Sequence, residues 1–396
     1  MSGGFRRFMT VFAVAAVALV AALGITGYVV DPYQMHSSAD HARAHPGSPM
    51  DQYSAWGKTH AIWKLRPATL YLGSSRVEIG LPVKHPAFDD AVVFNAALSG
   101  GTLGDSDAMA RHALAVAPVE TVVLGLDFWA FKTTAGNPDF DRTLVASDIP
   151  YGLQRFALDA TKSLSSNVVM ESFHTLTGSN DRICNAAVAN FGQRDPACIK
   201  AVIAHGGGTR KAFERDVSGY RTSPWEANAG HAAQAMPLFE SLLDRLCERS
   251  VRTRLFIQPM HALNLQAYRQ RGGGPDIEDW KFRVTDATTK RRERGCDIRL
   301  FDFSGYNSIT TDPVPHVSGS ETLRHYWEGS HYREEIGRLM LNRMFEVQVD
   351  EVPADFGREL TPATVGAVIE QERQEERRYV ETQASSITLL REWLAR

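Results

Sequence analysis

The chain has 396 residues, with 43 lysines and arginines against 46 aspartates and glutamates, which gives a net charge of −3. Nucleic-acid binding proteins usually carry a clearly basic surface, so we predict no nucleic-acid partner. The chain is 43% hydrophobic and 22% charged, which is close to the globular average and excludes global disorder. Its mean hydropathy of −0.24 excludes a protein with many membrane spans. The apolar residues are unevenly spread, however, and one block lies near the N-terminus.

Residues 8–30 form that block and contain no charged residue. As a helix rising about 1.5 Å per residue they would span roughly 34 Å, enough to cross a bilayer. Arg6 and Arg7 precede the block, and positive charge on a short N-terminal flank places that end in the cytoplasm. We therefore predict a cytoplasmic tail at residues 1–7, a single-pass anchor in the cell inner membrane, and a large domain facing the periplasm.

Two other interpretations of residues 8–30 remain open. A cleaved signal peptide usually has an apolar run of about 7–15 residues, and this run is longer. Residues 21–24 also offer only a poor small-residue cleavage site. A buried core helix is disfavoured because the segment is apolar around its whole circumference. A retained anchor is therefore the preferred interpretation.

Cysteines and histidines of the exported part suggest disulfides rather than a metal site. Cys184 and Cys198 are the better candidate pair, although four cysteines allow three pairings and an oxidising compartment is required. Residues 31–65 are polar and are interpreted as a juxtamembrane linker. Within it His41 and His45 are four residues apart, but no cysteine or carboxylate cluster completes a site, so we predict no metal.

Short apolar runs alternate with amphipathic stretches through the following domain. The runs are continuous, which is typical of parallel strands covered on both faces. They lie at residues 68–72, 91–94, 121–126, 254–257 and 298–303. Helical periodicity marks residues 105–116, 236–249 and 332–344. This alternation predicts an open α/β sandwich, in which a site forms where the carboxyl ends of strands meet loops.

Two regions depart from this alternation. Residues 132–230 are rich in Gly, Asn, Asp and Ser, and we interpret them as a large insertion that caps the carboxyl edge of the sheet. Residues 346–396 form a charged tail, in which Thr361 and Pro362 predict the N-cap and first residue of one long helix. The narrow apolar stripe on that helix is expected to dock on its own domain.

Four short motifs stand at or near the ends of these elements. A Gly-Ser-Ser run ends in Ser75 after the first strand, and a Ser-Gly-Gly run containing Gly100 follows the second. Asp127 directly follows the third strand, and Glu328 and His331 stand just before the last helix of the domain. Each motif is common by itself. Their order and placement together indicate one site.

In this order the motifs resemble those of the SGNH, or GDSL-like, hydrolase superfamily. The family's Gly-Asp-Ser block is matched by residues 73–75, which puts Ser75 in the position of the nucleophile. Gly100 matches the oxyanion-hole glycine, and Glu328 and His331 match an Asp-x-x-His block with a longer acid. The resemblance covers roughly residues 66–131 and 250–345, with the insertion outside it, and implies a three-layer, flavodoxin-like sandwich at residues 66–345.

These residue types also suit acyl transfer on chemical grounds. A serine hydroxyl needs a base within hydrogen-bond reach, and His331 is the candidate. Glu328, three residues earlier, could hold the other imidazole nitrogen. The backbone amides of Ser75 and Gly100 would stabilise the oxyanion. The simpler alternatives are a plain turn serine and a structural or helix-capping histidine.

Asp127 departs from the family pattern, which has an asparagine there. An ionised carboxylate cannot donate a hydrogen bond to an oxyanion. Burial could keep Asp127 neutral, Arg76 could pair with it, or the site could be degraded and non-catalytic. We favour pairing with Arg76, because both residues should lie at neighbouring strand ends. His261 could also line the site, although a satisfied loop histidine is the commoner explanation.

The anchor together with the Gly-Ser-Ser block is similar to the membrane-anchored branch of the superfamily. Its members are associated with O-acylation of cell-wall polymers or exopolysaccharides, including alginate O-acetylation and teichoic-acid alanylation. The resemblance implies an O-acyltransferase or esterase without metal or diffusible cofactor, acting on a polysaccharide or envelope polymer. Acyl donors are cytoplasmic thioesters, so a transferase would need a multi-span membrane-bound O-acyltransferase as partner.

A non-catalytic protein of the same fold is the alternative. It would serve as a scaffold or carbohydrate-binding subunit of an envelope assembly, and Asp127 in place of asparagine favours it. Trp129 and Trp327 stand beside the motifs and could stack on sugar rings, although buried aromatic residues are the commoner explanation.

Overall fold

A six-stranded sheet forms the centre of the described part of the chain. The structure is a computed structural model, and it describes residues 3–33, 35, 54–131, 136–137, 140–177, 190–222, 232–314 and 323–395. The strands are β1 (Thr69–Leu72), β2 (Val93–Asn95), β3 (Thr121–Leu126), β4 (Arg252–Ile257), β5 (Ile298–Asp302) and β6 (Arg358–Glu359). Their order is β2-β1-β3-β4-β5-β6, and only β6 is antiparallel to its neighbour. The five predicted strands and the α/β class are confirmed, whereas the two-residue strand β6 was missed.

The strands are buried, which explains why their sequences are continuous apolar runs. Every residue of β1 and β3 is buried, and β4 exposes only Arg252. Successive strand residues point to opposite faces, so both faces of the sheet are covered. The parallel register sets Leu72 opposite Leu124 and Leu126 opposite Ile257. The loops that follow these strands therefore share one edge of the sheet.

The helices connect the strands and cover them. They are α1 (Gly3–Val30), α2 (Ser54–Leu65), α3 (Ser75–Gly80), α4 (Leu103–Val116), α5 (Tyr151–Ser163), α6 (Ser166–Thr177), α7 (Pro196–His205), α8 (Thr209–Thr222), α9 (Ala232–Glu248), α10 (Ala262–Tyr268), α11 (Gly274–Glu293), α12 (Glu334–Phe345), α13 (Val365–Thr382) and α14 (Ala384–Ala395). Helices α2, α4, α9 and α11 contact one another in series, and α3 contacts α12. The three predicted helices of the domain correspond to α4, α9 and α12.

The predicted linker at residues 31–65 is wrong for its second half. Residues 54–65 form α2, in which every residue from Ala55 to Ile62 is buried. Its polar residues made this segment resemble a linker, because Lys58 and Thr59 are buried with partners distant in the chain, Glu78 and Arg155. His41 and His45 lie outside the described residues.

The described helices of the insertion pack in two different places, whereas a single cap was predicted. Helices α5 and α6 form a hairpin against α1. Helices α7 and α8 contact each other, and α8 also contacts α10 and α14, which brings Asp216 to the carboxyl edge of the sheet. Only this second half therefore agrees with the predicted cap.

The C-terminal tail is two helices rather than one. Helix α13 begins at Val365 with Thr364 as its N-cap residue, so the predicted N-cap Thr361 and first residue Pro362 both lie before the helix. Helix α14 follows after Gln383. Ile387 and Leu390 of the predicted stripe are buried. Helix α14 contacts α8 and α10, so the tail docks on its own domain as expected.

Helix α1 contains the whole predicted apolar block. It has 28 residues and is long and apolar enough to cross a membrane. The most apolar part of α1 is not buried by the rest of the chain. Gly27, near the C-terminal end of α1, is the buried residue of this helix, and it lies against the α5–α6 hairpin.

Disulfides involve three of the described cysteines. Cys247 and Cys296 are bonded, with their Cα atoms 5.3 Å apart, and link the end of α9 to the loop before β5. Cys198 is also disulfide-bonded. Cys184, its predicted partner, lies outside the described residues.

Candidate active site

A tight turn after β1 presents Ser75 at the edge of the sheet. Gly73 has a φ of +144°, and a Cβ there would lie 2.6 Å from the Val77 side chain, so the turn requires glycine. Ser74 caps α3 by accepting a hydrogen bond from the Arg76 amide at 3.4 Å. The turn buries Ser74 and Arg76 and leaves Ser75 partly exposed.

His331 lies directly beside Ser75. Its Nε2 is 2.8 Å from the Ser75 Oγ, and its Nδ1 hydrogen-bonds Glu328. The Glu328 carboxylate also accepts the Ser330 and His331 amides, each at 2.9 Å. Burial opposes the charge on Glu328, but His331, Asp216 and the Ser330 amide outweigh it and hold its pKa well below the usual range. An ionised Glu328 places the imidazole proton on Nδ1, which leaves Nε2 to accept the serine proton.

A close contact between two glycines fixes the elements that carry Ser75 and His331. A Cβ on Gly337 of α12 would lie 1.9 Å from the carbonyl oxygen of Gly80, at the end of α3. A Cβ on Gly80 would lie 2.1 Å from the ring of Tyr332, the residue after His331. Any side chain at either position would push the elements that carry Ser75 and His331 apart.

The loop after β2 brings Gly100 to the same cavity. Gly100 has a φ of +63°, a conformation that favours glycine. Buried charged residues hold this loop in place. Lys58 lies 2.8 Å from one carboxylate oxygen of Glu78. The other oxygen accepts hydrogen bonds from Ser99 of the loop and from Arg194, each at 3.0 Å. Gly100 and Ser75 therefore line the same cavity, as the predicted oxyanion hole requires.

Asp127 is enclosed by hydrogen-bond donors. One carboxylate oxygen binds Arg76, and the other accepts Ser74 at 2.5 Å and Gln258 at 2.8 Å. The pairing with Arg76 favoured by the sequence is confirmed. Arg76 also donates to the carbonyl oxygen of Ser330 at 3.0 Å and to its Oγ at 2.8 Å. Arg76 and Asp127 therefore tie the serine turn to the histidine loop.

Replacing Asp127 with asparagine should destabilise the fold. Arg76 would lose its partner while it stays buried, and breaking one side of a buried ion pair typically costs about 3–5 kcal/mol. Urea unfolding of the full chain would measure the loss. The matched control is Asp279→Asn, which breaks an exposed pair with Arg283 and should cost less than about 1 kcal/mol. Equal losses for both variants would contradict this view of Asp127.

Two residues without a recognisable motif also line the cavity, Asp216 of α8 and Asn264 of α10. Asn264 is 1% exposed, and neither polar atom of its amide has a hydrogen-bond partner of good geometry among the described residues. Burial and the neighbouring Glu328 carboxylate raise the pKa of Asp216 to about 9. Asp216 is thus protonated at neutral pH and can donate to Glu328. No signal in one sequence shows that this part of the insertion folds back onto the site.

The pH dependence of stability tests the protonated Asp216. Its pKa of about 9 in the folded state exceeds the ordinary unfolded value of about 3.9, so unfolding releases a proton between these pH values. This contribution to stability is lost as pH rises from about 4 to about 9. Asp216→Asn cannot titrate, so its unfolding free energy relative to wild type should increase with pH across this window. A difference that stays constant with pH would contradict the assignment.

The residues brought together line one cavity of about 450 Å³. Its chemically important members are Ser75, Gly100, Trp129, Asp216, Asn264 and His331. One face of Trp129 carries the Arg76 guanidinium, 4.3 Å from the ring centroid. The cavity therefore combines a serine hydroxyl, the imidazole that is hydrogen-bonded to it, and the polar side chains of Asp216 and Asn264.

His261 and Trp327 do not belong to this cavity. His261 is fully buried and caps α10 through the Leu263 amide at 3.1 Å, while its other ring nitrogen bonds the Asp312 carbonyl at 2.7 Å. Burial lowers its pKa to about 4, which keeps it neutral. Trp327 packs beside a small apolar cluster that includes Ile79. His261 as a site-lining residue is therefore wrong, and its role is structural.

Comparisons with known proteins leave the site to be interpreted from its own geometry. No protein-family model, curated protein or solved structure matches this chain. The order of the elements, the contacts of Ser75 and the chemistry of the cavity are therefore the basis for assigning a function.

Proposed function

We propose that the chain is a membrane-anchored, SGNH-like serine O-acyltransferase or esterase that acts on an exopolysaccharide or another cell-envelope polymer. The observation that carries the proposal is the 2.8 Å contact between the Ser75 Oγ and the His331 Nε2, with Glu328 on the other ring nitrogen. The parallel strand order 2-1-3-4-5 supports it, because this is the order of flavodoxin-like sheets, whose sites lie at the carboxyl edge.

The first half of the reaction forms an acyl-enzyme. The Ser75 Oγ attacks the carbonyl carbon of the acyl donor while its proton passes to the His331 Nε2. The carbonyl oxygen becomes an oxyanion, held by the amides of Ser75 and Gly100. The bond to the leaving oxygen or sulfur then breaks, and that atom takes the proton from His331. Glu328 stabilises the imidazolium between the two steps.

The second half transfers the acyl group to an acceptor hydroxyl. The hydroxyl gives its proton to His331 and attacks the Ser75 ester, and collapse of the intermediate returns the proton to Ser75. With water as acceptor the protein is an esterase. With a sugar hydroxyl it is a transferase. The Asn264 amide lines the cavity and has no partner of good geometry among the described residues, which supports an acceptor hydroxyl that it can bind.

A serine-reactive fluorophosphonate tests the proposal on the full chain in detergent micelles or nanodiscs. Wild type should be labelled at Ser75 in a time-dependent manner. Ser308→Ala, which removes an exposed serine bonded to Asp355, should be labelled at the same rate. Absence of labelling at Ser75 in a folded protein would contradict the catalytic assignment.

The alternative is a non-catalytic scaffold or carbohydrate-binding subunit. Asp127 favours it, because both of its oxygens are occupied and it offers no side-chain donor to an oxyanion. This alternative predicts polymer binding without labelling by fluorophosphonate. The enzyme proposal predicts both.

The acyl donor determines the partner. Cytoplasmic thioesters cannot reach a site on the outer side, so a transferase would receive its acyl group from a multi-span membrane-bound O-acyltransferase in the inner membrane. The esterase version needs no such partner and predicts release of acetate from a chromogenic ester by the purified chain. Co-purification of the chain with a multi-span protein, together with no hydrolysis of the ester, would favour the transferase.

A further inference from the structure

The α5–α6 hairpin buries polar residues against the protein and exposes large apolar residues, the reverse of a helix pair on the surface of a soluble domain. Helix α5 buries Tyr151, Arg155, Asp159 and Ser163 on one face. Its outer face carries Leu153 and Phe156, which are 68% and 76% exposed. Helix α6 repeats this pattern. It buries Val168 and Ser172 and exposes large apolar residues. These are Met170, Phe173 and Leu176.

The exposed apolar residues form stripes at helical spacing. On α5 they are three residues apart, at 153 and 156, and Leu164 in the turn continues the surface. On α6 they recur at 170, 173 and 176. Of the charged residues in this range, Arg155 and Asp159 are buried, whereas Lys162 and Glu171 are partly exposed and paired with Asp141 and His174. Such stripes normally face an apolar environment rather than water.

The polar inner face of α5 is tied to the domain, so the hairpin cannot simply turn its apolar face inward. Arg155 bonds Asp159 at 2.8 Å, the Thr59 hydroxyl at 3.0 Å and the Trp56 carbonyl at 3.1 Å. The Ser163 hydroxyl donates to the Asp159 carbonyl at 2.7 Å. The bonds from Arg155 to Thr59 and Trp56 of α2 hold the orientation that exposes Leu153 and Phe156.

The hairpin turn sits on helix α1. A Cβ on Gly27 would lie 2.5 Å from the Ser163 carbonyl oxygen and 2.9 Å from Val168, and one on Gly24 would lie 2.8 Å from Leu164. Only glycine permits this approach. Gly24 is six residues before the end of α1 at Val30, which corresponds to about 9 Å along a helix. The turn therefore contacts α1 about 9 Å from its C-terminal end, measured along the helix axis toward the N-terminus.

We propose that α5 and α6 lie in the outer interface of the bilayer, with their apolar stripes in contact with lipid. A depth of about 9 Å matches the roughly 5–10 Å to which interfacial helices are buried. Leu164 of the hairpin turn lines one apolar groove with Val17 and Val20 of α1, so the bilayer that surrounds α1 would also cover the hairpin. The inference requires α1 to span the membrane, but it is independent of whether Ser75 is catalytic.

Depth-dependent quenching tests the proposal on the full chain in nanodiscs of pure phospholipid. Phe156→Cys and Phe173→Cys would be labelled, without reduction of the disulfides, with an environment-sensitive nitrobenzoxadiazole dye. Val349→Cys is the matched control, because Val349 is 58% exposed and lies in a loop far along the chain. Spin-labelled lipids should quench the two hairpin labels several-fold more than the control. A spin label near the headgroup should quench them more than one at the chain end.

Two outcomes would overturn the proposal. Equal quenching of the hairpin and control labels would place the hairpin in water. An apolar environment for the hairpin labels in native membranes, but not in pure lipid, would show that a protein partner covers the stripe instead. Thermal unfolding of each labelled variant checks the fold, and Leu176→Cys provides a third position should either phenylalanine variant be unstable.

Discussion

Ser75→Ala should abolish acyl transfer, with a loss of roughly 10⁴- to 10⁶-fold in turnover, as expected when a triad loses its nucleophile. Without the Oγ no acyl-enzyme forms, and His331 has no proton to accept. The fold should not change, because Ser75 is partly exposed and the cap of α3 belongs to Ser74. The measurement is polymer acylation in cells carrying the variant, together with ester turnover by the purified chain.

The contrast between variants separates the enzyme from the scaffold. Ser308→Ala should keep full activity and serves as the matched serine control. Complete polymer acylation in cells carrying Ser75→Ala would show that the chain acts without its hydroxyl, and the scaffold alternative would then be preferred. Loss of acylation with unchanged protein level and unchanged thermal unfolding would support catalysis by Ser75.

Glu328→Gln should lower turnover by about 10³- to 10⁴-fold, a loss comparable to that seen when the acid of a triad becomes an amide. Glutamine can present an N–H to the imidazole, which favours the proton on Nε2 and so removes the acceptor that Ser75 needs. Glutamine also has only one oxygen for the two backbone amides of Ser330 and His331, which Glu328 accepts on separate oxygens.

Fluorophosphonate labelling measures this effect directly, because the rate depends on activation of the serine and not on the identity of the polymer. Glu370→Gln is the matched control, since Glu370 is about half exposed on α13, where it pairs with the surface residues Arg373 and Arg377 and accepts a hydrogen bond from Gln374. Its labelling rate should equal that of the wild type. A Glu328→Gln chain labelled as fast as wild type would remove Glu328 from the proposed machinery.

The sequence predicted the parts of the fold whose signals are local. β1 and β3 are buried on both faces, so their apolar runs were visible without knowledge of their neighbours. Ser75, Gly100, Asp127 and His331 could be grouped because parallel strands place the loops after them at one edge. Even the pairing of Arg76 with Asp127 followed from this placement.

Elements that depend on distant partners were missed. α2 appeared polar because the partner of Lys58, Glu78, lies twenty positions away in the chain. Asp216 reaches the cavity because α8 packs on α10 and α14, and no sequence motif indicates this packing. β6 is too short to show a period, and the tail divides in two at Gln383 without a proline or glycine to mark the break.

The contact between Gly80 and Gly337 offers a way to recognise relatives when overall similarity fails. The geometry leaves no room for a Cβ at either position, so any chain with the same active-site frame needs glycine at both. These positions lie five residues after Ser75 and six after His331. A search for Ser-x₄-Gly followed by Glu-x₂-His-x₅-Gly, behind an N-terminal apolar helix, is therefore expected to find chains that share this arrangement without overall sequence similarity.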